Sequence, residues 1–165
     1  MNELNHKSCL IIGIGNACRE DDGLGWRFVD QLLKQGFDEK NVEYKYQLMV
    51  EDAALLAEYD CVVFVDASKN QLSGGVDFAR CIPAPAAAFS THYMPPEQVL
   101  HLCSTLFQAK PNAFLLEIQG EQWGIGTGIS QRAAGNLEKA VKIFTHWYDK
   151  SIKKTKNKVI KKETV

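Results

Sequence analysis

The chain has 165 residues, 45% hydrophobic and 24% charged, which is typical of one globular domain with a sizeable core. Its net charge of −1 is uneven, because residues 151–165 hold six lysines and one glutamate and leave −6 on the rest. An acidic body argues against duplex nucleic acid as a partner, and no apolar run reaches the roughly 20 residues of a membrane helix. The start of the chain lacks the apolar core of a secretory peptide. We therefore expect a cytoplasmic protein with one domain, residues 1–149, and a basic tail, residues 150–165.

The first half of the chain alternates strand and helix signals. The apolar run 8–14 predicts a buried strand, and apolar residues at helical spacing predict a helix over 22–35. Partial alternation predicts a second strand over 42–49. The mostly β-branched run 61–65 predicts a third strand that is covered on both faces.

The second half continues the alternation. We predict a strand over 76–82, a proline-rich loop over 83–88 and a strand over 113–118. One helix opens at Pro95 and another at Ser130. Their packed sides are predicted to hold Val99, Leu102, Cys103 and Leu106 in the first, and Leu137, Val141, Phe144 and Tyr148 in the second. This pattern predicts an α/β fold, a three-layer sandwich with a mostly parallel sheet of about five strands flanked by helices. The strand order stays open.

The loop after the first strand, residues 13–25, reads GIGNACREDDGLG. It invites comparison with the dinucleotide-binding fingerprint, but Cys18 occupies the place of the third glycine. Glu20, Asp21 and Asp22 would also repel a pyrophosphate brought to the start of the following helix. The sequence therefore disfavours a nucleotide-binding module here.

A cation suits these carboxylates better. Asp22 precedes the first helix and Asp66 ends the third strand, so a parallel sheet brings both to its carboxyl edge, where ligands of open α/β sheets bind. His92, in the loop before a helix, can reach the same crevice, and two carboxylates with an imidazole suit nickel, zinc or similar ions. The alternatives are a helix cap by Asp21 or Asp22, a strand-end role for Asp66 and a plain loop histidine.

Three segments together resemble the hydrogenase maturation peptidases over residues 8–148. They are GIGN with REDDGLG in 13–25, FVDA in 64–67 and STH in 90–92, in the order of that family. In the family, an acidic residue, an aspartate and a histidine of these motifs contact a metal. The resemblance assigns those catalytic and metal-contacting roles to Asp22, Asp66 and His92, with Asp21 as the alternative first acid.

The resemblance also implies an unusual reaction. Such enzymes remove the C-terminal extension of a nickel–iron hydrogenase large subunit after nickel has been inserted. The partner is then the large-subunit precursor, and the nickel ion arrives with it, although other divalent ions can substitute. Either the metal polarises the scissile carbonyl or a carboxylate activates water.

Other interpretations remain open at this point. The chain has neither Gly-x-Ser-x-Gly nor His-Glu-x-x-His, and Cys18 has no evident base to activate it as a nucleophile. The five cysteines are expected to be mainly buried free thiols. The rival functions are a non-catalytic metal-binding chaperone, a different α/β hydrolase and a nucleotide-binding module. The glycine-rich segment 120–130 either holds the substrate tail or is a mobile connection.

Overall fold

Residues 9–86 and 93–153 are described by a computed structural model of the chain. The strands within them are β1 (Leu10–Ile14), β2 (Val42–Lys45), β3 (Cys61–Ser68), β4 (Val76–Arg80) and β5 (Asn112–Gln119). The helices are α1 (Leu24–Lys34), α2 (Asp52–Leu56), α3 (Pro96–Phe107) and α4 (Gln131–Tyr148). His6, His92 and most of the predicted tail lie outside the described residues.

The strands form one sheet in the order β2-β1-β3-β5-β4. β2, β1, β3 and β5 are parallel, and β4 pairs antiparallel with β5. This confirms the predicted α/β class with a mostly parallel sheet of five strands. The carboxyl ends of β1 and β3 are neighbours, which brings the segments after both strands to one place.

Apolar side chains cover the sheet on both faces. Val63 packs in one core with Phe28 of α1 and Phe144 of α4. Phe64, the next residue along β3, packs on the opposite face with Val99 of α3. Burial on both faces explains why β3 reads as a continuous apolar run. Across residues 9–86 and 93–153, no helix combines the length and hydropathy needed to cross a membrane.

One prediction for the segment after α1 is wrong, and one helix there was not predicted. The strand predicted over 42–49 ends at Lys45, because β2 is an edge strand whose neighbour β1 ends at Ile14. The chain then enters α2, which the sequence analysis missed. This helix has only five residues, too few to display a helical period. Its start is held by the amide of Met49, which donates to the Asp52 carboxylate at 2.8 Å.

Some predictions about the helix ends and the packed sides of the helices are confirmed, and others are wrong. Ser130 does precede α4, where its hydroxyl accepts from the amide of Ala133 at 3.2 Å. The cap predicted for the first helix is wrong, because α1 follows Gly23 and no side chain caps it. Leu106 is 60% exposed rather than packed, since it lies in the last turn of α3, just before the chain turns through the left-handed Gln108.

The amino end of α1 lies directly on the ends of β1 and β3. A Cβ atom added to Gly25 would overlap the backbone carbonyls of Ile14 and Val65, and Gly13 faces Gly25 in the same contact. Gly15 has a φ of 140° and lies against the backbone of Asp22. The glycines of the first motif therefore permit close backbone packing, which brings the acidic turn to the carboxyl edge of the sheet.

We predict opposite effects of adding a methyl group to two glycines of helices. Gly25→Ala should lower the free energy of unfolding by about 2–3 kcal/mol, because the methyl group meets backbone atoms. Gly135→Ala in α4 meets no atom within 4 Å and should raise it by about 0.5–1 kcal/mol. Urea denaturation followed by circular dichroism measures both, and equal effects would contradict the packing argument.

Candidate active site

Two carboxylates come together at the carboxyl edge of the sheet. Asp22 lies in the short helical turn Glu20–Gly23 that precedes α1, and Asp66 lies near the end of β3. Both side chains are partly buried. The negative charge of Asp22 contributes to the raised pKa of Asp66, so the two groups are within electrostatic range of each other.

Asp66 sits where a negative charge is unfavourable. Burial is the largest cause that raises its pKa to about 7, and the charges of Asp22 and Glu117 add to it, against a hydrogen bond from the Ala67 amide. Near neutral pH this carboxyl group is therefore half protonated without a cation. A divalent ion beside it would favour the ionised form and displace the proton.

Further acids continue the cluster across the sheet. Glu117 of β5 is in register with Asp66 of β3 on one side and with Asp77 of β4 on the other. Burial raises the pKa of Glu117, and the charges of Asp77 and Glu97 raise it further. The sequence analysis missed Glu117, although a glutamate that interrupts the apolar run 113–118 was a usable signal.

The segment that follows His92 approaches the same acids. Tyr93 is an exposed residue whose pKa is raised, first by partial desolvation of its hydroxyl and then by the charges of Asp66, Glu97 and Glu117. His92 itself lies outside the described residues, so its role as a ligand stays a prediction. Among residues 9–86 and 93–153, no three His, Cys, Asp or Glu side chains form a group able to hold a metal.

Asp21, the alternative first acid, has a different role from Asp22. It is fully buried and accepts hydrogen bonds from the amides of Glu121, Gln122 and Ser130 and from the Ser130 hydroxyl, at 2.7–2.9 Å. Burial alone would raise the pKa of Asp21, but these bonds outweigh it and the pKa is lowered. Its oxygens are committed to the loop, whereas Asp22 is the acid of this turn whose charge raises the pKa of Asp66.

The glycine-rich segment 120–130 is bonded to the same turn. Glu20 accepts from the amide of Gly124 at 2.6 Å and donates its own amide to the carbonyl of Gly126 at 2.8 Å. The amide of Gly126 donates to the carbonyl of Cys18. These bonds disfavour the interpretation of the segment as a mobile connection.

The cysteines show one exposed thiol near the site. Cys9, Cys61, Cys81 and Cys103 are buried and form no disulfide, as predicted, whereas Cys18 is exposed. The backbone amide of Cys18 donates to the side chain of Asn16, and its carbonyl accepts from the amide of Gly126. The backbone of Cys18 therefore links the first-motif loop to the glycine-rich segment.

Comparison with solved structures identifies proteins of the same fold. The hydrogenase maturating endopeptidase HybD from E. coli superposes with a TM-score of 0.66 at 20% identity, over 88% of this chain and 94% of that one. The [NiFe] hydrogenase maturation protease HycI from Thermococcus kodakarensis KOD1 gives 0.63 at 24% identity, over 86% and 92%. The hydrogenase 2 maturation peptidase from Thaumarchaeota archaeon SCGC_AB-539-E09 gives 0.61 at 18%, over 85% and 97%.

No protein-family model and no curated protein sequence matches the chain. At the identities of the structural matches, the likeness establishes a shared fold. That fold is the one seen in hydrogenase maturation endopeptidases, and it agrees with the resemblance of the three sequence motifs to the same family.

The raised pKa of Asp66 predicts a pH-dependent stability. The folded protein keeps this proton to about pH 7, whereas an unfolded chain loses it near about pH 4. The free energy of unfolding should therefore fall as pH rises through this window. Asp66→Asn removes the ionisation and should be more stable than the wild type by about 4 kcal/mol at pH 8, with no difference below about pH 4.

Urea denaturation in the presence of a chelator measures this effect. Glu138→Gln, which changes an exposed carboxylate on α4 and keeps Asp66, is the matched control. Its stability should follow the pH dependence of the wild type, with a difference from the wild type that stays constant across pH. A constant difference between Asp66→Asn and the wild type at every pH would show that Asp66 does not carry the proton.

Replacing each of two neighbouring aspartates of the first motif by asparagine should change the free energy of unfolding by different amounts. Asp21→Asn places an NH₂ donor among four donors and should lower the free energy of unfolding by about 2 kcal/mol. Asp22→Asn, next to it, should change stability by less than about 0.5 kcal/mol. Urea denaturation at one pH compares the two variants, and equal losses would contradict the division of roles.

Proposed function

We propose that this protein is a hydrogenase maturation endopeptidase. It removes the C-terminal extension of a nickel–iron hydrogenase large subunit once nickel has been inserted. Two lines of support meet at one place. The fold is shared with such endopeptidases, and the acids of the two matching motifs, Asp22 and Asp66, are drawn together at the carboxyl edge of the sheet.

The observation that carries this proposal is the half-buried Asp66 beside Asp22. Two like charges in a partly buried site raise the energy of the empty crevice, and only a cation or a proton relieves it. The cation is the nickel ion of the precursor, which is part of the substrate. Asp22, Asp66 and His92 contact that ion while it is still accessible.

Recognition and cleavage follow from the same contact. A precursor without nickel brings no positive charge to the crevice, so no electrostatic attraction draws its C-terminal extension to the acids. A nickel-loaded precursor places the scissile peptide bond beside the ion. The carbonyl is polarised by the metal or a carboxylate takes a proton from water, and water adds across the C–N bond to give a carboxylate and an amine.

The glycine motif fits this function better than nucleotide binding. The space beside Gly13 is occupied by the backbone of Gly25, and the space beside Gly15 by the backbone of Asp22. Neither glycine therefore leaves room for a phosphate. Glu20 and Asp21 accept hydrogen bonds from backbone amides of the neighbouring loop, so these amides are not available to a phosphate. The proposed partner is therefore a protein precursor in the cytoplasm rather than a dinucleotide.

Processing of a purified precursor tests the proposal directly. Nickel-loaded large subunit incubated with the wild type should lose its C-terminal extension, seen as released peptide by mass spectrometry. Asp22→Asn, Asp66→Asn and His92→Ala should each slow release at least about a hundredfold, because each removes a group that contacts the ion.

Two controls separate this function from its rivals. Glu138→Gln should process at the wild-type rate, and precursor without nickel should remain uncut. Binding of the loaded precursor without any release of peptide would identify a chaperone instead. Complete processing by Asp66→Asn would show that the crevice is not the active site.

A further inference from the structure

Ile125 is a large aliphatic side chain held out in solvent. It is 93% exposed, more than any other large hydrophobic residue among residues 9–86 and 93–153. It lies between Gly124 and Gly126 in the segment 120–130. Single exposed apolar side chains are common on protein surfaces, so exposure alone carries no argument. The inference rests instead on the hydrogen bonds that hold the backbone around Ile125.

Glu20 holds the backbone on both sides of Ile125. Its carboxylate accepts from the amide of Gly124 at 2.6 Å, and its own amide donates to the carbonyl of Gly126 at 2.8 Å. The amide of Gly126 donates in turn to the carbonyl of Cys18 at 2.9 Å. These three bonds fix the backbone on both sides of the exposed Ile125 side chain.

Within residues 9–86 and 93–153, Glu20 and Gln108 are the two non-glycine residues with a positive φ. The φ of 50° at Glu20 is a left-handed conformation that side chains other than glycine rarely adopt. Strain of this kind persists where surrounding contacts determine it, and it concentrates at functional positions. Here the strained residue is the one whose amide and carboxylate both hold the loop of Ile125.

The loop of Ile125 is hydrogen-bonded to the turn that carries one acid of the candidate active site. The turn Glu20–Gly23 that holds its loop carries Asp22 two residues after Glu20. A molecule that contacts Ile125 is therefore placed beside the crevice. A second copy of this chain bound there would cover the crevice, whereas a substrate bound there would be presented to it.

We propose that Ile125 is an apolar anchor that enters a hydrophobic pocket on the large-subunit precursor. The inference rests on the proposed function, because it names the same partner. The backbone bonds to Glu20 pre-organise the anchor, so little conformational freedom is lost when the precursor binds. Ile125 contributes to affinity for the precursor and not to the chemical step.

The test compares two exposed apolar residues in binding and cleavage. Ile125→Ser should weaken binding of nickel-loaded precursor about tenfold, the effect of losing one interface anchor, as measured by biolayer interferometry. The rate of cleavage at saturating precursor should stay within about twofold of the wild type. Leu106→Ser, at the far end of α3, is the control and should change neither quantity.

A third variant tests the pre-organisation. Glu20→Ala keeps Ile125 but removes the bond to Gly124, and it should weaken binding about threefold while hydrogen exchange of the Gly124 amide becomes faster. Unchanged affinity in Glu20→Ala, with faster exchange, would overturn the claim that the loop must be held.

The two proposals fail in different ways. If Ile125→Ser binds the precursor as tightly as the wild type, the anchor is wrong and the peptidase function is untouched. If the wild type binds the precursor without cutting it and Ile125→Ser binds more weakly, the anchor stands and the peptidase function is wrong. A wild type that does not bind the precursor overturns both.

Discussion

The contact of two backbones, with no side chain between them, supports the whole site. Gly25 of α1 lies against the carbonyls of Ile14 and Val65, at the ends of two adjacent parallel strands. Any larger residue would push the helix away from the sheet. Because the helix is this close, the turn that precedes it comes to the carboxyl edge near the end of β3, within reach of Asp66.

The electrostatics of the crevice work against the stability of the empty protein. Asp66 is buried enough that its pKa rises to about 7, and the neighbouring charges of Asp22 and Glu117 oppose its ionisation. A site selected for stability alone would place an amide or an apolar residue there. Partly buried carboxylates that raise one another's pKa values are more typical of functional sites than of purely structural ones.

Adjacent acids in one turn illustrate how environment divides chemically similar groups. Asp21 is enclosed by amide donors and acts as a structural acceptor, whereas the charge of Asp22 contributes to the raised pKa of Asp66. Glu20, the third acid, holds the glycine-rich loop on both sides of Ile125. The acidic turn therefore organises the loop between β5 and α4 as well as the crevice, and a change in one is expected to affect the other.

The sequence by itself determined the alternation of strands and helices, the buried central strand and the three short motifs, because each is a local pattern of apolar, glycine or charged residues. It could not determine strand order, the antiparallel β4 or the five-residue α2, since these depend on which elements meet in space. Its alternative role for Asp21 or Asp22, a cap of the first helix, is wrong because no side chain caps α1. The role of Asp21 was decided by donors about 100 residues away in the chain. The pKa of Asp66 was decided first by burial and then by the charges of Asp22 and Glu117, which lie elsewhere in the sequence. Hydrogen bonds and charges act through space, so only the tertiary structure could settle them.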